Sequence, residues 1–207
     1  MSLPTPLYDL KCFPSVYEPS EDTFLFIDAL ETEMDFIKSL NPTSIIEVGS
    51  GNGVVITSLA AALKCTQVLF AIDINPLACL ATEHTAHLNK TTVECLNMDL
   101  LSNFKDSVFD IILFNPPYVV TESEEIVGQG LSRAWAGGIN GREIIDKFLP
   151  KLRDCLHSKG VCYMITIKEN KPDEIKEIML DFGFKTAIVK ERKVPGEHLF
   201  VLKFWRG

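Results

Sequence analysis

Apolar positions along the 207-residue chain follow two rhythms. From residue 21 to 38, Phe24, Ile27, Leu30 and Met34 recur at steps of three and four, which places them on one face of a helix. Ser20 just before this run suits an N-cap, with Thr23 in the first turn. Pro4, Pro6, Pro14 and Pro19 make the preceding segment irregular. After Asn41-Pro42, short apolar runs alternate with helical stretches. Strands are expected at 44–48, 67–72, 92–96, 109–114 and 161–168, the last introduced by Gly160, with helices at 54–63, 76–89, 142–156 and 172–182. Strands separated by helices imply βαβ units and a parallel sheet covered on both faces. The end of the chain differs. Two β-rich runs, 186–194 and 198–204, are joined by Pro195-Gly196-Glu197, which predicts a hairpin and an antiparallel last strand.

Composition narrows the class. The chain is 46% hydrophobic and 23% charged, which fits a folded globular domain with a sizeable core. Lys and Arg number 20 against 28 Asp and Glu, a formal charge of −8. That balance argues against a protein that grips duplex nucleic acid over its whole face. The six cysteines include no C-x-x-C pair and mostly sit in apolar runs, as buried residues do in a reducing compartment. No apolar stretch reaches the length of a membrane span, and residues 1–15 lack a secretory signal, so a soluble intracellular protein is expected, in the cytoplasm with the nucleus as an alternative.

Chemistry concentrates at the ends of the predicted strands. Glu47-Val-Gly49-Ser-Gly51-Asn-Gly53 lies at a strand-to-helix turn, where glycines let the backbone turn tightly and let a ligand approach. The spacing is not the G-x-G-x-x-G of a dinucleotide site. An acid ahead of the first glycine suits a cation, such as the ammonium or sulfonium end of S-adenosylmethionine. Asp73 closes the second strand, where a carboxylate can take both hydroxyls of a ribose. Asp99 and Leu100 follow the third strand and offer an acid to an adenine amine and an apolar flank to its ring. The three acids are expected along one crevice at the carboxyl ends of the strands.

Asn115-Pro116-Pro117-Tyr118 stops the fourth strand beside the same crevice. A Pro-Pro pair cannot continue a central strand, and its fixed rings aim the Asn115 side chain and the Pro116 carbonyl. Two acceptors so placed can hold both hydrogens of a planar NH2 group, with Tyr118 packed on its face. Such a nitrogen is a poor nucleophile, and orientation is what it needs to meet an electrophilic methyl group. Two features read as weaker signals. His84 and His87 lie three apart on a helix with no third ligand evident, and read as solvated. Trp135 with Gly137-Gly138 either shapes a substrate loop or caps the sheet.

The combined pattern resembles the class I S-adenosylmethionine-dependent methyltransferases. It is most similar to the eukaryotic branch of the HemK-like family, which methylates the glutamine side chain of peptide-release factors. The residues that carry the likeness are Val16-Tyr17-Glu18-Pro19-Ser20-Glu21-Asp22-Thr23-Phe24, the glycine loop, Asp73-Ile-Asn75-Pro76, Phe114 to Val120, Ala134-Trp-Ala-Gly-Gly138, Asn140-Gly-Arg-Glu143 and Thr166-Ile-Lys-Glu-Asn170. The resemblance implies a Rossmann-like sheet of seven mostly parallel strands with a reversed last strand. It implies cofactor contacts at Tyr17, Thr23, Glu47, Gly49, Gly51, Asp73, Asp99, Leu100 and Asn115. It also implies catalysis by Asn115, Pro116 and Tyr118, which with Pro117 would contact the substrate. S-adenosylmethionine would be the cofactor, S-adenosylhomocysteine its product, and no metal is implied. The substrate would be the glutamine of a Gly-Gly-Gln motif in a translation release factor. The partner would be a small zinc-binding activator forming a heterodimer over the edge near the third strand, a stretch more apolar than a free edge should be. One methyltransferase domain, 1–207, is expected, with residues 1–40 covering the cofactor site and 41–207 as the core.

Competing readings remain at this point. An adenine amine presents the same NH2 group, so N6-adenine methylation of DNA or RNA is the near rival, opposed by the acidic balance and the lack of a basic cluster. Methylation of lysine in a basic protein such as a histone is a further alternative. A non-catalytic scaffold and a dinucleotide-dependent dehydrogenase fit the motifs less well.

Overall fold

The computed structural model describes residues 3–63, 67–104, 107–127 and 134–206. Residues 3–20 run as an irregular strap, as their prolines require. The helix α1 (Glu21–Ser39) follows. Then come β1 (Ser44–Val48), α2 (Val54–Leu63), β2 (Val68–Asp73), α3 (Pro76–Leu88), β3 (Glu94–Asn97) and β4 (Phe109–Phe114). The second half holds α4 (Ser123–Ile126), α5 (Glu143–Cys155), β5 (Leu156–Ile167), α6 (Pro172–Asp181), β6 (Lys185–Val194) and β7 (Glu197–Trp205). The strands form one seven-stranded sheet in the order β3-β2-β1-β4-β5-β7-β6. β1 to β5 pair in parallel, and β7 is antiparallel to both β5 and β6. The order reverses beside β1, and that switch point opens a crevice at the carboxyl ends of β1, β2 and β4.

Side-chain alternation divides the core into two layers. On β4, Ile111 and Leu113 face a cluster with α1 and α2, where Leu25, Phe26, Leu30, Ile56 and Leu59 are fully buried. Phe109, Ile112 and Phe114 face the opposite cluster, built on α5 and α6 with Phe148, Leu152, Ile175 and Met179. Phe114 packs on Phe148 with ring centroids 4.3 Å apart.

Some expectations shift. The buried face of α1 centres on Leu25, Phe26, Leu30 and Ile37, and Phe24 is only half-buried, because α1 packs on α2 and the sheet along a wider stripe than four positions. β5 begins at Leu156, five residues ahead of Val161, because Leu156 already pairs with Phe109 across a bulge. Gly160 therefore lies inside the strand, where a Cβ would stand 2.9 Å from the Asp110 carbonyl oxygen. β3 starts two residues later than the 92–96 run. Among the described cysteines, Cys79, Cys155 and Cys162 are buried, Cys95 is half-buried and Cys12 is exposed. Cys65, Gly128 and Gly130 lie outside the described residues. No described helix is long and apolar enough to cross a membrane.

Candidate functional site

The crevice holds two neighbouring cavities that share Asp73, Ile74 and Ala134 as walls. The larger, about 350 Å³, is lined by Ser15, Val16 and Tyr17 of the strap on one side and by Gly51 and Asn75 on the other. The smaller, about 140 Å³, is lined by Gly49, Asp99, Leu100, Asn115 and Pro117.

Local backbone chemistry builds the first wall. Gly51 has φ +54, the left-handed region, and a Cβ there would meet nothing within 4 Å. Gly53 serves packing instead, because a Cβ would stand 2.7 Å from the Cα of Thr82 on α3. Thr82 and Thr85, which sequence patterns did not single out, stitch the loop to α3. The Thr82 hydroxyl donates to Ser50 Oγ at 2.9 Å, and the Thr85 hydroxyl donates to the Asn52 carbonyl at 2.8 Å. Asp73 ends β2 and accepts from the Gly51 N–H at 3.0 Å and the Asn75 N–H at 2.8 Å. Leu100 sits at φ +48, a conformation a branched side chain rarely adopts, and it lines the smaller cavity with Asp99. The strap is tied over this wall by two side-chain amides. Asn52 Nδ2 donates to the Tyr17 carbonyl at 2.9 Å and Asn75 Nδ2 to the Ser15 carbonyl at 3.3 Å.

Glu47 and Thr23 stand elsewhere. Neither lines the two cavities. Glu47 shares the face of β1 that carries Ile45, so alternation turns it under α2. It is 2% exposed, and its Oε2 accepts from the Ile56 N–H at 3.0 Å, meeting one of the unpaired donors of α2's first turn. Burial pushes its carboxyl up to about 8, a rise that the Ile56 bond opposes and the charge of Asp73 reinforces. Asp73 and Asp99 thus share the crevice while the third acid lies beneath it. Thr23 is buried in the first turn of α1, where its Oγ1 accepts from the Ser20 N–H at 3.3 Å.

The second wall is assembled from distant segments. β4 ends at Phe114, and Asn115 follows in the lining of the smaller cavity. Asn115 Nδ2 donates to Asp22 Oδ2 at 2.9 Å, and the Tyr118 hydroxyl donates to the same oxygen at 3.3 Å. Asn115 Oδ1 is buried with no hydrogen-bond partner. Burial first, then the Asp22 charge, drives the Tyr118 phenol far above its ordinary value, so it stays protonated and donates. The loop is held from behind by Asn170, which is fully buried. Its Nδ2 donates to the carbonyls of Tyr118 at 2.8 Å and Asn140 at 2.9 Å, and its Oδ1 accepts from the Ile167 N–H at 2.8 Å. Gly141 permits this closeness, since a Cβ there would stand 1.9 Å from the Tyr118 carbonyl oxygen. Trp135 to Gly138 runs beside the loop: the Val119 N–H donates to the Trp135 carbonyl at 3.0 Å and the Gly137 N–H to the Val119 carbonyl at 2.8 Å. That segment therefore shapes the loop after β4.

Sequence patterns passed over Asp22, Asn170 and Gly141 as individuals, although each lies in a quoted motif. Of the two helix histidines, His84 packs on Phe13 with centroids 5.9 Å apart, and His87 is exposed.

A seven-stranded sheet with a reversed final hairpin strand, a glycine loop after β1, an acid closing β2 and a proline-braced Asn after β4 together define a class I methyltransferase. Comparison with known proteins agrees. The family model described as "Methyltransferase small domain" matches residues 21–134. "Methyltransferase HEMK2" of Homo sapiens is 42% identical over 198 residues, covering 94% of this chain and 92% of that protein. The "eRF1 methyltransferase catalytic subunit mtq2" of Schizosaccharomyces pombe is 34% identical over 212 residues, covering 95% and 92%. The Mtq2-Trm112 complex of E. cuniculi, described as responsible for methylating the eRF1 translation termination factor, contains a chain that superposes with a TM-score of 0.71 at 27% identity, covering 93% of this chain and 99% of that one. The chain belongs to the HemK-like methyltransferases, in the branch that holds these relatives.

Proposed function

We propose that this protein transfers a methyl group from S-adenosylmethionine to the side-chain amide nitrogen of a protein glutamine, in the Gly-Gly-Gln motif of a class I translation release factor. The observation that carries the reading is the buried, unpartnered Oδ1 of Asn115, a residue that lines the smaller cavity. An acceptor so buried costs about 1–3 kcal/mol unless a donor reaches it, and a planar NH2 group brings one. The relatives support the substrate, since the names of two of them speak of eRF1 methylation.

The chain's residues fit the cofactor. Gly51 leaves open space where a Cβ would project, Asp73 stands between the cavities for a ribose diol, and Asp99 with Leu100 would hold an adenine. Gly49 and Tyr17 complete the walls, and Asn115 lines the smaller cavity. Thr23 stands in the α1 turn beside Asp22, and Glu47, whose carboxyl burial raises to about 8, keeps its proton near neutral pH and braces the first turn of α2 beneath the loop. The strap and α1 cover this site as the N-terminal part of one domain. When bound, S-adenosylmethionine supplies a methyl group carried on a sulfonium sulfur.

Asn115 Oδ1 and the Pro116 carbonyl take the two N–H groups of the glutamine amide, with Pro117 fixing the turn and the Tyr118 ring against the amide plane. Held this way, the nitrogen keeps one orientation, and positioning of this kind lowers the barrier without a strong base. The nitrogen becomes acidic as it gains the methyl group, and its proton passes to water.

A zinc-binding activator subunit would cover the β3 edge. Leu80 is 50% exposed on α3 and Leu96 39% exposed on β3, with Leu77 beside them. β3 is an edge strand with open backbone groups, the kind of surface a partner completes. Lysine methylation is the second reading: the carboxylates of Asp22 and Glu197 near Tyr118 would attract a lysine side chain, whose ammonium must pass a proton to water before its nitrogen can take the methyl group.

Tandem mass spectrometry tests the function. Release factor incubated with this protein, its activator and isotope-labelled cofactor should gain one methyl group on the Gly-Gly-Gln glutamine. Labelling confined to lysine would replace the glutamine reading with the second one.

A further inference from the structure

Asp22 is a carboxylate that is 5% exposed and forms no ion pair with a described Lys or Arg. It occupies the first turn of α1, where the helix dipole favours a negative charge. Oδ1 accepts from the Thr23 N–H at 2.7 Å and from the Thr23 hydroxyl at 3.4 Å. Oδ2 accepts from Asn115 Nδ2 and the Tyr118 hydroxyl, both in the acceptor loop. A buried charge kept without a cation is costly, so a fold that keeps one at this point is using it for more than packing.

We infer that Asp22 is a positioning residue of the transfer reaction, fixing which face of the Asn115 amide meets the acceptor nitrogen and polarising it. The inference rests on the proposed methyl transfer at Asn115 and adds a residue to it. An ionised carboxylate offers only acceptors, so Asn115 must turn its NH2 group toward Asp22. Its carbonyl oxygen then faces the other way, and this is the atom left unpartnered. With a neutral, two-sided group at position 22 the amide could rotate by half a turn, and NH2 would meet NH2. The charge also acts through the shared hydrogen bond. It draws electron density toward Asn115 Oδ1, and it stabilises positive charge that builds on the acceptor nitrogen during transfer. Tyr118 is held by the same oxygen, so one carboxylate sets both side chains that contact the amide.

A double-mutant cycle separates this role from a structural one. Asp22→Asn keeps the shape and removes the charge. It should lower kcat about 100-fold, the loss typical of one preorganised electrostatic contact. The cofactor dissociation constant should stay within about threefold, because Asp22 touches the acceptor loop and lines neither cofactor cavity. Asn115→Asp alone sets two carboxylates against each other and should be as slow. Asp22→Asn with Asn115→Asp restores a donor–acceptor pair and leaves an acceptor oxygen facing the substrate. The double variant should recover at least about tenfold over either single one. A purely structural role would give additive losses and parallel falls in melting temperature.

A second readout needs no substrate. In the 15N-labelled full chain, the Asn115 side-chain NH2 protons should lie downfield, as expected of donors to a carboxylate, and move upfield in Asp22→Asn. The inference is overturned if Asp22→Asn turns over within twofold of the unaltered protein, if losses in the cycle are additive, or if the NH2 resonances do not move. A wild-type protein that leaves glutamine unmethylated would sink the substrate reading, and the NMR result would still decide the role of Asp22.

Discussion

The two walls of the crevice are built in different ways. The wall formed by the loops after β1 and β2 is the shorter in range: Asp73 binds the N–H groups of Gly51 and Asn75, Thr82 and Thr85 stitch the glycine loop to α3, and its longest tie, Asn75 to Ser15, spans 60 residues. The wall around Asn115 is assembled from four parts of the chain. Asp22 reaches it across 93 residues and Asn170 across 52 from Tyr118. The local wall suits a ligand common to many enzymes of this architecture, since backbone turns and a few side-chain ties shape it. The long-range wall fixes one amide orientation, and only a cooperative core can hold that. Binding and transfer should therefore fail separately.

The sharpest break comes at Asn115. Asn115→Ala should cut methyl transfer by about 100- to 1,000-fold while cofactor affinity, read by calorimetric titration, stays nearly intact. A parallel loss of affinity would mean that the two walls are not separate. Asp73→Ala attacks the other wall. It should weaken cofactor binding about 10- to 100-fold, the range for hydrogen bonds to a charged group, with turnover at saturating cofactor largely kept. Unchanged affinity would remove Asp73 from the ribose contact.

The smallest effect concerns Glu47, which lies under the local wall. Its folded-state value of about 8 stands above the ordinary 4.5, so the folded state binds the proton more tightly. The stability this contributes is full below about pH 4.5, falls as pH rises and is gone above about 8, with a slope of at most about 1.4 kcal/mol per pH unit. Denaturant titrations across pH 5 to 8 should show that decline in the wild-type protein and a flatter profile in Glu47→Gln. Matching slopes would place the Glu47 proton elsewhere.

Much of this was legible in advance. The helix and strand rhythms located the sheet, the Pro-Gly hairpin foretold the reversed strand, and the Asn-Pro-Pro-Tyr stop marked the end of β4 beside the crevice. The position of Glu47 was legible too, had alternation along β1 been applied, because Ile45 and Glu47 must share a face. The start of β5 was not, because Leu156 becomes strand only by pairing with Phe109. Gly141 carries no local hint either, since its need for a missing Cβ arises from the Tyr118 carbonyl packed against it.

The amino-acid order by itself determined the periodicities, the turns and the residue types at strand ends, because those depend on neighbours within a few positions. The partnership of Asp22 with Asn115 and Tyr118, and of Asn170 with the back of the same loop, was decided only in the folded molecule. Contacts across 93 and 52 residues form only once the two core layers have packed α1 and the end of β5 against β4. Hydrogen bonding between polar groups so far apart in sequence has no local signature, and burial of the surrounding apolar faces is what makes it specific.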